Sequence, residues 1–467
     1  MNTKRTYIGE LSKHIGESVV INGWIHVRRD QGKMTFFDIR DTSGMVQSII
    51  LPKSSAMEVG KNTREEYVIE ATGIVKERPE QNKKTEMLNG DIELELETIT
   101  ILNKSETPPF PIHEDTSVVN ESTRLEHRYL DMRNARLRKN IENRSKVQHF
   151  IRNYLIDQGF LEVETPLLSA PTPEGSRSFV VPSRIYKGNY YSLPQSPQQY
   201  KQLLMVGGFE KYFQFARCMR DEDTRGDRQP EFTQLDMEMA FLPQEELMRL
   251  NEELLIETVR SLYPEKRIQQ IPFPRMSYAE AMEKYGNDRP DIREDKDDSN
   301  LLAFLWIVDF PMFEKTGDDN VDNTGEWTFT HNPFSKPKEE HMEMFLKKEN
   351  IADILTTQYD ITLNGFEIGG GSIRNHTPEA LRTTFEIMGY EKDRIDQNFG
   401  HILKALAFGA PPHGGIAWGF DRLMMILENE PNIREVIPFA KTGDGKDLMM
   451  NAPADISRKL KTELGIK

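Results

Sequence analysis

The segment FARCMRDEDTRGDRQPEFTQLDMEM carries the densest set of side chains that could bind an anionic ligand. Two strand-like runs flank a loop whose ionisable residues are Arg220, Asp221, Glu222, Asp223, Arg225, Asp227 and Arg228. Side chains alternate along a strand, so Arg220 and Glu222 are expected to share a face. The second strand places three polar side chains on one face, namely Gln234, Asp236 and Glu238. Flanking apolar residues predict burial, and buried charge needs partners, so a ligand site is favoured over a solvated hairpin with charge pairs.

A second polar cluster lies in QYDITLNGFEIGGGSIR. Asp360 and Glu367 stand near three consecutive glycines, residues 369–371, and near Arg374. Carboxylate oxygens are the ligands that Mg²⁺ prefers, and glycines let a ligand approach the backbone closely. The pattern predicts a magnesium site, with bulges and packing as the alternative use of the glycines.

The third feature is GFDR at residues 419–422, where a glycine-rich turn is expected to lead into a helix. The N–H groups of a helix N-terminus bind phosphates, and Arg422 adds a charge-assisted hydrogen bond. The alternative is an ordinary helix start with Asp421 near the N-cap. His331 in FTHNPF is a lone histidine, for which a structural role is favoured over a functional one. The chain lacks GxxxxGKS, GxxxxGKT, HExxH and GxSxG, which excludes several nucleotide, zinc and hydrolase sites.

The N-terminal part of the chain, residues 1–105, has the pattern of a small β-barrel. Five short runs rich in β-branched and aromatic residues are separated by turn residues, which favours a barrel of the OB type. Such barrels bind single-stranded nucleic acid through basic and aromatic side chains. Arg28, Arg29 and Phe36 could form this platform, although Phe36 and Phe37 also fit a simple alternation of surface and core.

The rest of the chain mixes strands and helices in an α+β order. Prolines within residues 106–130 predict a linker, and strands and helices follow from 131 to 441. The acid-rich stretch near 287–300 is expected to be a surface connection, and residues 442–467 a C-terminal extension.

Composition and charge limit the class of protein. The formal net charge is −15 over 467 residues, so any contact with nucleic acid is expected to be local rather than a general coat. No apolar run has the length of a membrane span and no signal core is visible, which predicts a cytoplasmic protein without membrane contact. The single cysteine, Cys218, excludes an internal disulfide and is expected to be a packed residue.

Taken together, the segments resemble the three motifs of class II aminoacyl-tRNA synthetases, in order. GFLEVETPLL with Pro166 resembles motif 1, the charged segment motif 2, and GIAWGFDRL motif 3. TPEGSRSFVVPSR, LPQSPQQYKQLLM, LWIVDFPMFE and NGFEIGGGSIR are similar to the bacterial aspartyl-tRNA synthetases in particular. The resemblance covers nearly the whole chain. It implies an anticodon-binding OB barrel, a catalytic domain built on an antiparallel sheet flanked by helices, and a homodimer.

The resemblance implies ATP-dependent activation of L-aspartate and its transfer to the 3′ end of tRNA(Asp). Arg220 and Arg422 would be catalytic, at the α- and γ-phosphates respectively. The positions that match ATP-binding residues are Arg220, Asp221, Glu222, Arg228, Gln229, Glu367, Gly419, Phe420, Asp421 and Arg422. Asp360 and Glu367 match the carboxylates that bind Mg²⁺.

The resemblance also implies which residues bind the amino acid and the tRNA. Lys201 and Arg374 match the cations that read the β-carboxylate of aspartate. The other positions that match the aspartate site are Glu174, Ser196, Gln198, Arg220, Asp236 and His331. Arg29, Gln31, Phe36 and Gln47 match anticodon contacts, with Phe36 stacking on a base.

Three departures from the family pattern bear on function. The large insertion between motifs 2 and 3 is missing, and Asn332 stands where a second histidine is common. Gln31 stands where a leucine accompanies strict tRNA discrimination, which leaves open a non-discriminating enzyme. Such an enzyme would also charge tRNA(Asn) and would have an amidotransferase as a partner.

Two alternatives to an aspartyl enzyme remain at this point. Lys201 and Arg374 favour an anionic side chain, which argues against an asparaginyl or lysyl relative. A paralogue without tRNA charging, acting as an amino-acid ligase or as an RNA-binding regulator, is disfavoured by the barrel and by the set Arg220, Glu367 and Arg422.

Overall fold

A computed structural model of the chain describes residues 4–84, 86–171, 176–316 and 325–466. The chain divides into two compact units, Met1–Arg138 and Lys139–Lys467. The strands are β1 (Ser18–Gln31), β2 (Met34–Arg40), β3 (Met45–Ile50), β4 (Val68–Glu77), β5 (Ile92–Asn103), β6 (Leu161–Glu162), β7 (Val180–Pro182), β8 (Tyr190–Ser192), β9 (Lys211–Met219), β10 (Glu231–Ala240), β11 (Arg267–Ile268), β12 (Arg275–Ser277), β13 (Leu301–Leu302), β14 (Phe304–Val308), β15 (Phe313–Lys315), β16 (Trp327–Phe329), β17 (Gln358–Leu363), β18 (Phe366–Ile373) and β19 (His413–Gly419). The helices are α1 (Met57–Asn62), α2 (Glu121–Glu126), α3 (Arg128–Asp131), α4 (Ala135–Asp157), α5 (Gln198–Val206), α6 (Gln244–Leu262), α7 (Tyr278–Tyr285), α8 (Met342–Lys347), α9 (Pro378–Ile387), α10 (Lys392–Leu406), α11 (Phe420–Leu427) and α12 (Arg458–Leu464).

The first unit contains a closed barrel with the strand order β1-β2-β3-β5-β4. Strand β2 shows why the sequence closes in this way, because its alternate residues Thr35, Phe37 and Ile39 are buried in the barrel core. Phe36 and Asp38 then point to the outer face. The predicted five-stranded OB-type barrel is confirmed, and closure leaves the barrel without open edges.

The second unit is built on an eight-stranded sheet with the order β12-β14-β17-β18-β19-β10-β9-β6. The six strands from β14 to β9 run antiparallel to their neighbours, and the outer strands β12 and β6 pair parallel to β14 and β9. Helices flank this sheet, as the sequence predicts. Strand β10 is buried over eight consecutive residues, Thr233–Ala240, including the polar residues of its even-numbered face.

Two local expectations were wrong. Residues 413–419 form strand β19 rather than a glycine-rich turn. A Cβ on Gly415 would lie 2.1 Å from the Glu238 carboxylate and 2.1 Å from the Met237 carbonyl oxygen, so these glycines serve close strand packing. Strand β9 ends at Met219, so Arg220 and Glu222 lie in the following loop rather than on a strand face. Residues 121–157 form the helices α2, α3 and α4.

Among the described residues, no helix is both long enough and apolar enough to cross a membrane. Cys218 is fully buried on β9, as expected for a packed residue.

Candidate active site

A cavity of about 370 Å³ opens over the centre of the large sheet. Its floor is formed by β10, β17, β18 and β19, and its walls by α5, the β9–β10 loop and the start of α11. The lining includes most of the residues singled out in the sequence, namely Ser196, Gln198, Lys201, Arg220, Glu222, Arg228, Gln229, Asp236, His331, Asp360, Glu367, Arg374, Gly419, Asp421 and Arg422. Residues from five separate stretches of sequence therefore meet at one site.

Two of the predicted residues that the structure describes, Asp221 and Phe420, do not line this cavity. Asp221 is exposed in the β9–β10 loop. Phe420 is fully buried and packs edge-on against Phe215, with ring centroids 5.2 Å apart. Its side chain therefore belongs to the core, and only its backbone could face a nucleotide. Glu174 lies outside the described residues.

One end of the cavity is cationic. The guanidinium of Arg220 lies over the Phe232 ring, 5.2 Å from the centroid, and its buried Nε has no hydrogen-bond partner among the described residues. Arg422 is held more firmly, because its Nη1 donates to the Glu367 carbonyl at 2.9 Å and its Nη2 pairs with Asp227 at 3.2 Å. Arg220 is therefore placed to bind an anionic ligand without first leaving an ion pair.

Two carboxylates lie beside this cationic end. Asp360 and Glu367 come from the paired strands β17 and β18, and Gly370 lies between them. A Cβ on Gly370 would be 2.8 Å from Asp360 Oδ1 and 3.8 Å from Glu367 Oε1. Burial, and then the charge of Glu367, raise the pKa of Asp360 well above its usual value. No side-chain cation pairs with either carboxylate in the described parts of the chain, so a bound divalent cation would relieve their repulsion.

The opposite end of the cavity contains a buried network of four charges. Lys201 Nζ lies 3.1 Å from Asp236 and 3.2 Å from Glu238, and all three side chains are at most 1% exposed. Arg374 donates from Nε and Nη2 to Glu238 at 2.9 and 3.2 Å, and from Nη1 to Ser372 Oγ at 2.8 Å. Glu238 thus occupies the Nε–Nη2 edge of the guanidinium, and Nη1, which donates one hydrogen to Ser372, keeps its second hydrogen for a ligand.

The network separates the acidities of its two carboxyl groups. Burial raises the pKa of Asp236 to about 6, although Lys201 acts in the opposite direction. Burial also opposes ionisation of Glu238, but the charges of Arg374 and Lys201 outweigh it and lower its pKa to about 2. Glu238 is therefore a permanent anion that anchors both cations. Asp236 Oδ1 lies 3.1 Å from Lys201 Nζ but accepts no hydrogen bond from the described residues, so it can accept a donor from a ligand.

The structure also shows the contacts of Asp421 and His331, for which the sequence allowed two interpretations. Asp421 does not act as a simple N-cap, because its carboxylate pairs with Arg144 at 2.5 Å and accepts from the Thr233 amide at 2.8 Å. It therefore fixes α11 against α4 and β10. His331 packs edge-on against Phe310 at 4.6 Å while lining the cavity, and burial lowers its pKa.

Sequence reasoning missed several lining residues. Phe232 lies under Arg220 and shares the even-numbered face of β10 with Gln234 and Asp236, so strand alternation could have found it. Gln195 binds Ser176 and Ser178 through its carboxamide. No periodic signal marks Gln195, because these partners are distant in sequence. Asp227 was named only as a charged loop residue, and the structure pairs it with Arg422.

The outer face of the barrel groups the predicted anticodon residues. Arg29 lies opposite Phe36 across β1 and β2, and its guanidinium pairs with Asp38 at 2.7 and 2.8 Å. Gln47 lies opposite Asp38 across β2 and β3. Gln31 is exposed at the end of β1, beside the hairpin turn. Asp38 was not predicted, although it shares the face of Phe36.

Comparison with known proteins matches both units. Residues 120–443 match the tRNA synthetases of class II (D, K and N), and residues 19–102 match an OB-fold nucleic acid binding domain. An aspartate–tRNA ligase of Staphylococcus carnosus is 34% identical, with all of both chains covered. An aspartate–tRNA(Asp/Asn) ligase of Dehalococcoides mccartyi is 36% identical, with 97% of each chain covered. The chain belongs to the bacterial aspartate–tRNA ligases.

A member of this family is a class II synthetase, an enzyme that uses ATP to attach an amino acid to tRNA. The fold agrees with solved structures that are only distantly similar in sequence. Asparaginyl-tRNA synthetase of Pyrococcus horikoshii gives a TM-score of 0.74 at 21% identity, covering 94% of this chain and 98% of that one. A putative aspartyl-tRNA synthetase of Leishmania major gives 0.73 at 20% identity, with 94% of each chain covered.

The same comparison shows a difference in length. The alignment with a Staphylococcus epidermidis aspartate–tRNA ligase spans 596 positions against 467 residues here, which leaves 129 positions without a counterpart. All of both chains is nevertheless covered. This aspartate–tRNA ligase is therefore shorter than that relative although the match runs over the whole chain.

Proposed function

We propose that the enzyme activates L-aspartate with ATP and transfers it to the 3′ end of tRNA(Asp). The observation that carries this proposal is the pair of buried cations, Lys201 and Arg374, at the end of the cavity away from Arg220. The two oxygens of a side-chain carboxylate can accept from Arg374 Nη1 and from Lys201 Nζ, whereas an asparagine amide has one oxygen and would turn its NH₂ group toward one of these cations. Asp236 can accept from the substrate ammonium group, next to Ser196 and Gln198.

ATP fits the opposite end, with its phosphates between Arg220 and Arg422. The aspartate α-carboxylate is already a nucleophile, so the first step needs no protein base. It attacks the α-phosphorus, and the bond to the β-phosphate breaks to release pyrophosphate. Arg220 neutralises charge at the α-phosphate while Arg422 holds the leaving end. Asp360 and Glu367 would hold Mg²⁺, which supplies further charge neutralisation at the phosphates. A hydroxyl of the terminal tRNA ribose then attacks the aspartyl-adenylate.

The test of the first step is ATP–pyrophosphate exchange with aspartate, asparagine and lysine in parallel. We expect exchange with aspartate and at least about 100-fold less with asparagine, since a misplaced buried hydrogen bond costs several kcal/mol. Equal exchange with asparagine would refute the role given to Lys201 and Arg374.

The pKa of Asp236 predicts a pH effect on aspartate binding. Because this pKa is raised to about 6, the carboxyl is ionised above that pH and becomes neutral as the pH falls through it. Neutral Asp236 cannot pair with the substrate ammonium, so KM for aspartate is expected to rise about fourfold from pH 7.5 to pH 5.5. Pyrophosphate exchange across this range checks the effect. Asp236→Asn is the matched variant, and its KM should be higher but flat; an equal slope in both enzymes would assign the titration elsewhere.

We propose that the outer barrel face, defined by Arg29, Phe36, Asp38 and Gln47, binds the anticodon. Phe36 is part-exposed between polar neighbours, which suits a base stacked on its ring. Phe36→Ala should weaken tRNA binding by about 1–3 kcal/mol, the free energy of one lost stack. Filter binding measures this loss, and pyrophosphate exchange should be unchanged. Phe37→Ala, which leaves a cavity in the barrel core, is the contrasting variant. If Phe36→Ala lowered the stability of the fold as much as Phe37→Ala does, Phe36 would be a folding residue.

Gln31 leaves open whether the enzyme also charges tRNA(Asn). Charging of purified tRNA(Asp) and purified tRNA(Asn) with labelled aspartate, run in parallel, decides between the two cases. Charging of tRNA(Asp) alone would establish a discriminating enzyme. Charging of both would establish a non-discriminating enzyme with an amidotransferase as partner. In that case Gln31→Leu is expected to reduce the charging of tRNA(Asn) more than that of tRNA(Asp).

We also propose a cytoplasmic homodimer. The exposed side chains of Leu161, Leu167 and Leu168 lie at and just beyond β6, the edge strand of the large sheet. An apolar strip at this edge suits a second copy of the chain. Light scattering should therefore give twice the mass of one chain.

A further inference from the structure

The loop between β9 and β10, residues 220–230, is held by the C-terminal part of the same unit. Thr224 Oγ1 donates to the Gly443 carbonyl, and the Ile433 amide donates to the Gly226 carbonyl at 2.9 Å. Arg225 and Arg228 exchange two backbone hydrogen bonds of 3.2 Å, which close the loop into a narrow turn. The family match ends at residue 443, so one of these anchors stands at its boundary.

The contact that bears on chemistry involves Gln229. Its Oε1 accepts from the backbone amide of Lys441 at 2.8 Å. Its Nε2 has no hydrogen-bond partner among the described residues, although the residue is only 5% exposed and lines the cavity. A carboxamide can present either its oxygen or its NH₂ group. Since a backbone N–H can bond only to the oxygen, the Lys441 amide fixes the NH₂ group of Gln229 as the end that is left without a partner beside the cavity.

The segment that contains the Lys441 amide is stabilised by hydrogen bonds and an ion pair within the C-terminal part of the chain. The Thr442 amide donates to the Lys446 carbonyl at 2.8 Å, and Lys441 Nζ pairs with Asp447 at 3.3 Å. Asp447 and Ala452 exchange backbone hydrogen bonds of 2.8 and 3.0 Å. Residues 441–447, here called the C-terminal turn, therefore form a small hydrogen-bonded unit.

We propose that the C-terminal turn is a positioning element for the nucleotide side of the site. Its Lys441 amide turns the Gln229 NH₂ group toward oxygen acceptors of the bound nucleotide, and its Gly443 carbonyl anchors the loop through Thr224. This inference rests on the proposed binding of ATP beside Arg220 and Arg422. Residues 441–447 act through Gln229 and Thr224 and touch no reacting atom.

The test is a double-mutant cycle in ATP–pyrophosphate exchange. Lys441→Pro removes the amide hydrogen, whereas Lys441→Ala keeps it and removes only the ion pair with Asp447. Lys441→Pro should raise KM for ATP about threefold to tenfold, the scale of one lost hydrogen bond, with KM for aspartate unchanged. Lys441→Ala should change KM for ATP by at most about twofold, as for a partly exposed ion pair. In a Gln229→Ala background, Lys441→Pro should have no further effect.

An equal effect of Lys441→Pro with and without Gln229 would overturn the proposal, as would an unchanged KM for ATP in the single variant. Should Lys441→Pro fail to fold, Thr224→Val and Thr224→Ser give the second measurement. The valine variant loses the bond to Gly443 and should raise KM for ATP, whereas the serine variant keeps the hydroxyl and should not; equal values would refute the anchor. If Gln229→Ala alone leaves KM for ATP unchanged, the proposed nucleotide role of Gln229 fails, independently of the C-terminal turn.

Discussion

Arg374→Ala is expected to lower kcat/KM for aspartate by about 100-fold to 1000-fold and to abolish discrimination against asparagine. The magnitude is that of removing one partner from a buried, hydrogen-bonded charge pair. Arg374 is 2% exposed and is the main partner of Glu238, so its loss leaves that anion with Lys201 alone. Pyrophosphate exchange with aspartate and asparagine measures both effects.

The same substitution should also destabilise the fold by about 3–5 kcal/mol, because it leaves an uncompensated buried charge. The double variant Arg374→Ala with Glu238→Gln removes both charges and separates the two effects. Its stability should recover in part while its aspartate selectivity stays lost. Arg249→Ala, in an exposed ion pair on α6, is the control and should change neither quantity. Retained discrimination in a folded Arg374 variant would contradict the assignment of the β-carboxylate to this end of the cavity.

Arg220→Ala is expected to lower kcat by about 100-fold to 1000-fold, the effect of removing one preorganised donor to developing charge. Its stability should be nearly unchanged, because the Arg220 guanidinium has no ion pair in the described parts of the chain and only stacks on Phe232. Single-turnover formation of the adenylate measures the chemical step directly, and thermal unfolding measures the stability.

Arg217→Ala is the matched control for Arg220. It lies on the same hairpin but pairs with Glu231 at 2.6 Å on a half-exposed surface, so its loss should leave kcat unchanged. Arg220→Lys keeps the charge but not the planar fork and should recover only part of the rate. A loss of stability without a fall in kcat would show that Arg220 supports the fold and does not act on the phosphate.

The fold was predictable to the extent that it rests on local periodicity. Alternation along β2 predicts that Phe37 is buried and Phe36 is not, and the even-numbered polar face of β10 indicates the site. The strand β19 was missed because its glycines resemble a turn. The close approach of Glu238 to Gly415 explains why glycines form a strand there, and this contact depends on the tertiary structure.

The sequence predicted which residues form the site, but it did not predict which of them pair with each other. Lys201, Asp236 and Arg374 were each assigned from resemblance, yet nothing in the sequence shows that Glu238 binds both cations. Arg374 and Glu238 are 136 positions apart, so their contact depends on the order of strands in the sheet. The role of the Lys441 amide could not be predicted either, because every residue except proline has a backbone N–H and no residue type identifies this donor.

Transfer of labelled aspartate to purified tRNA(Asp) in the presence of ATP tests the central claim most directly. The cavity, with two buried cations at one end and Arg220 beside two carboxylates at the other, together with the barrel face, predicts ATP-dependent formation of an alkali-labile aspartyl ester on the tRNA. Absence of this ester from an enzyme that still exchanges pyrophosphate with aspartate would contradict the account and would indicate a paralogue that activates aspartate without charging tRNA.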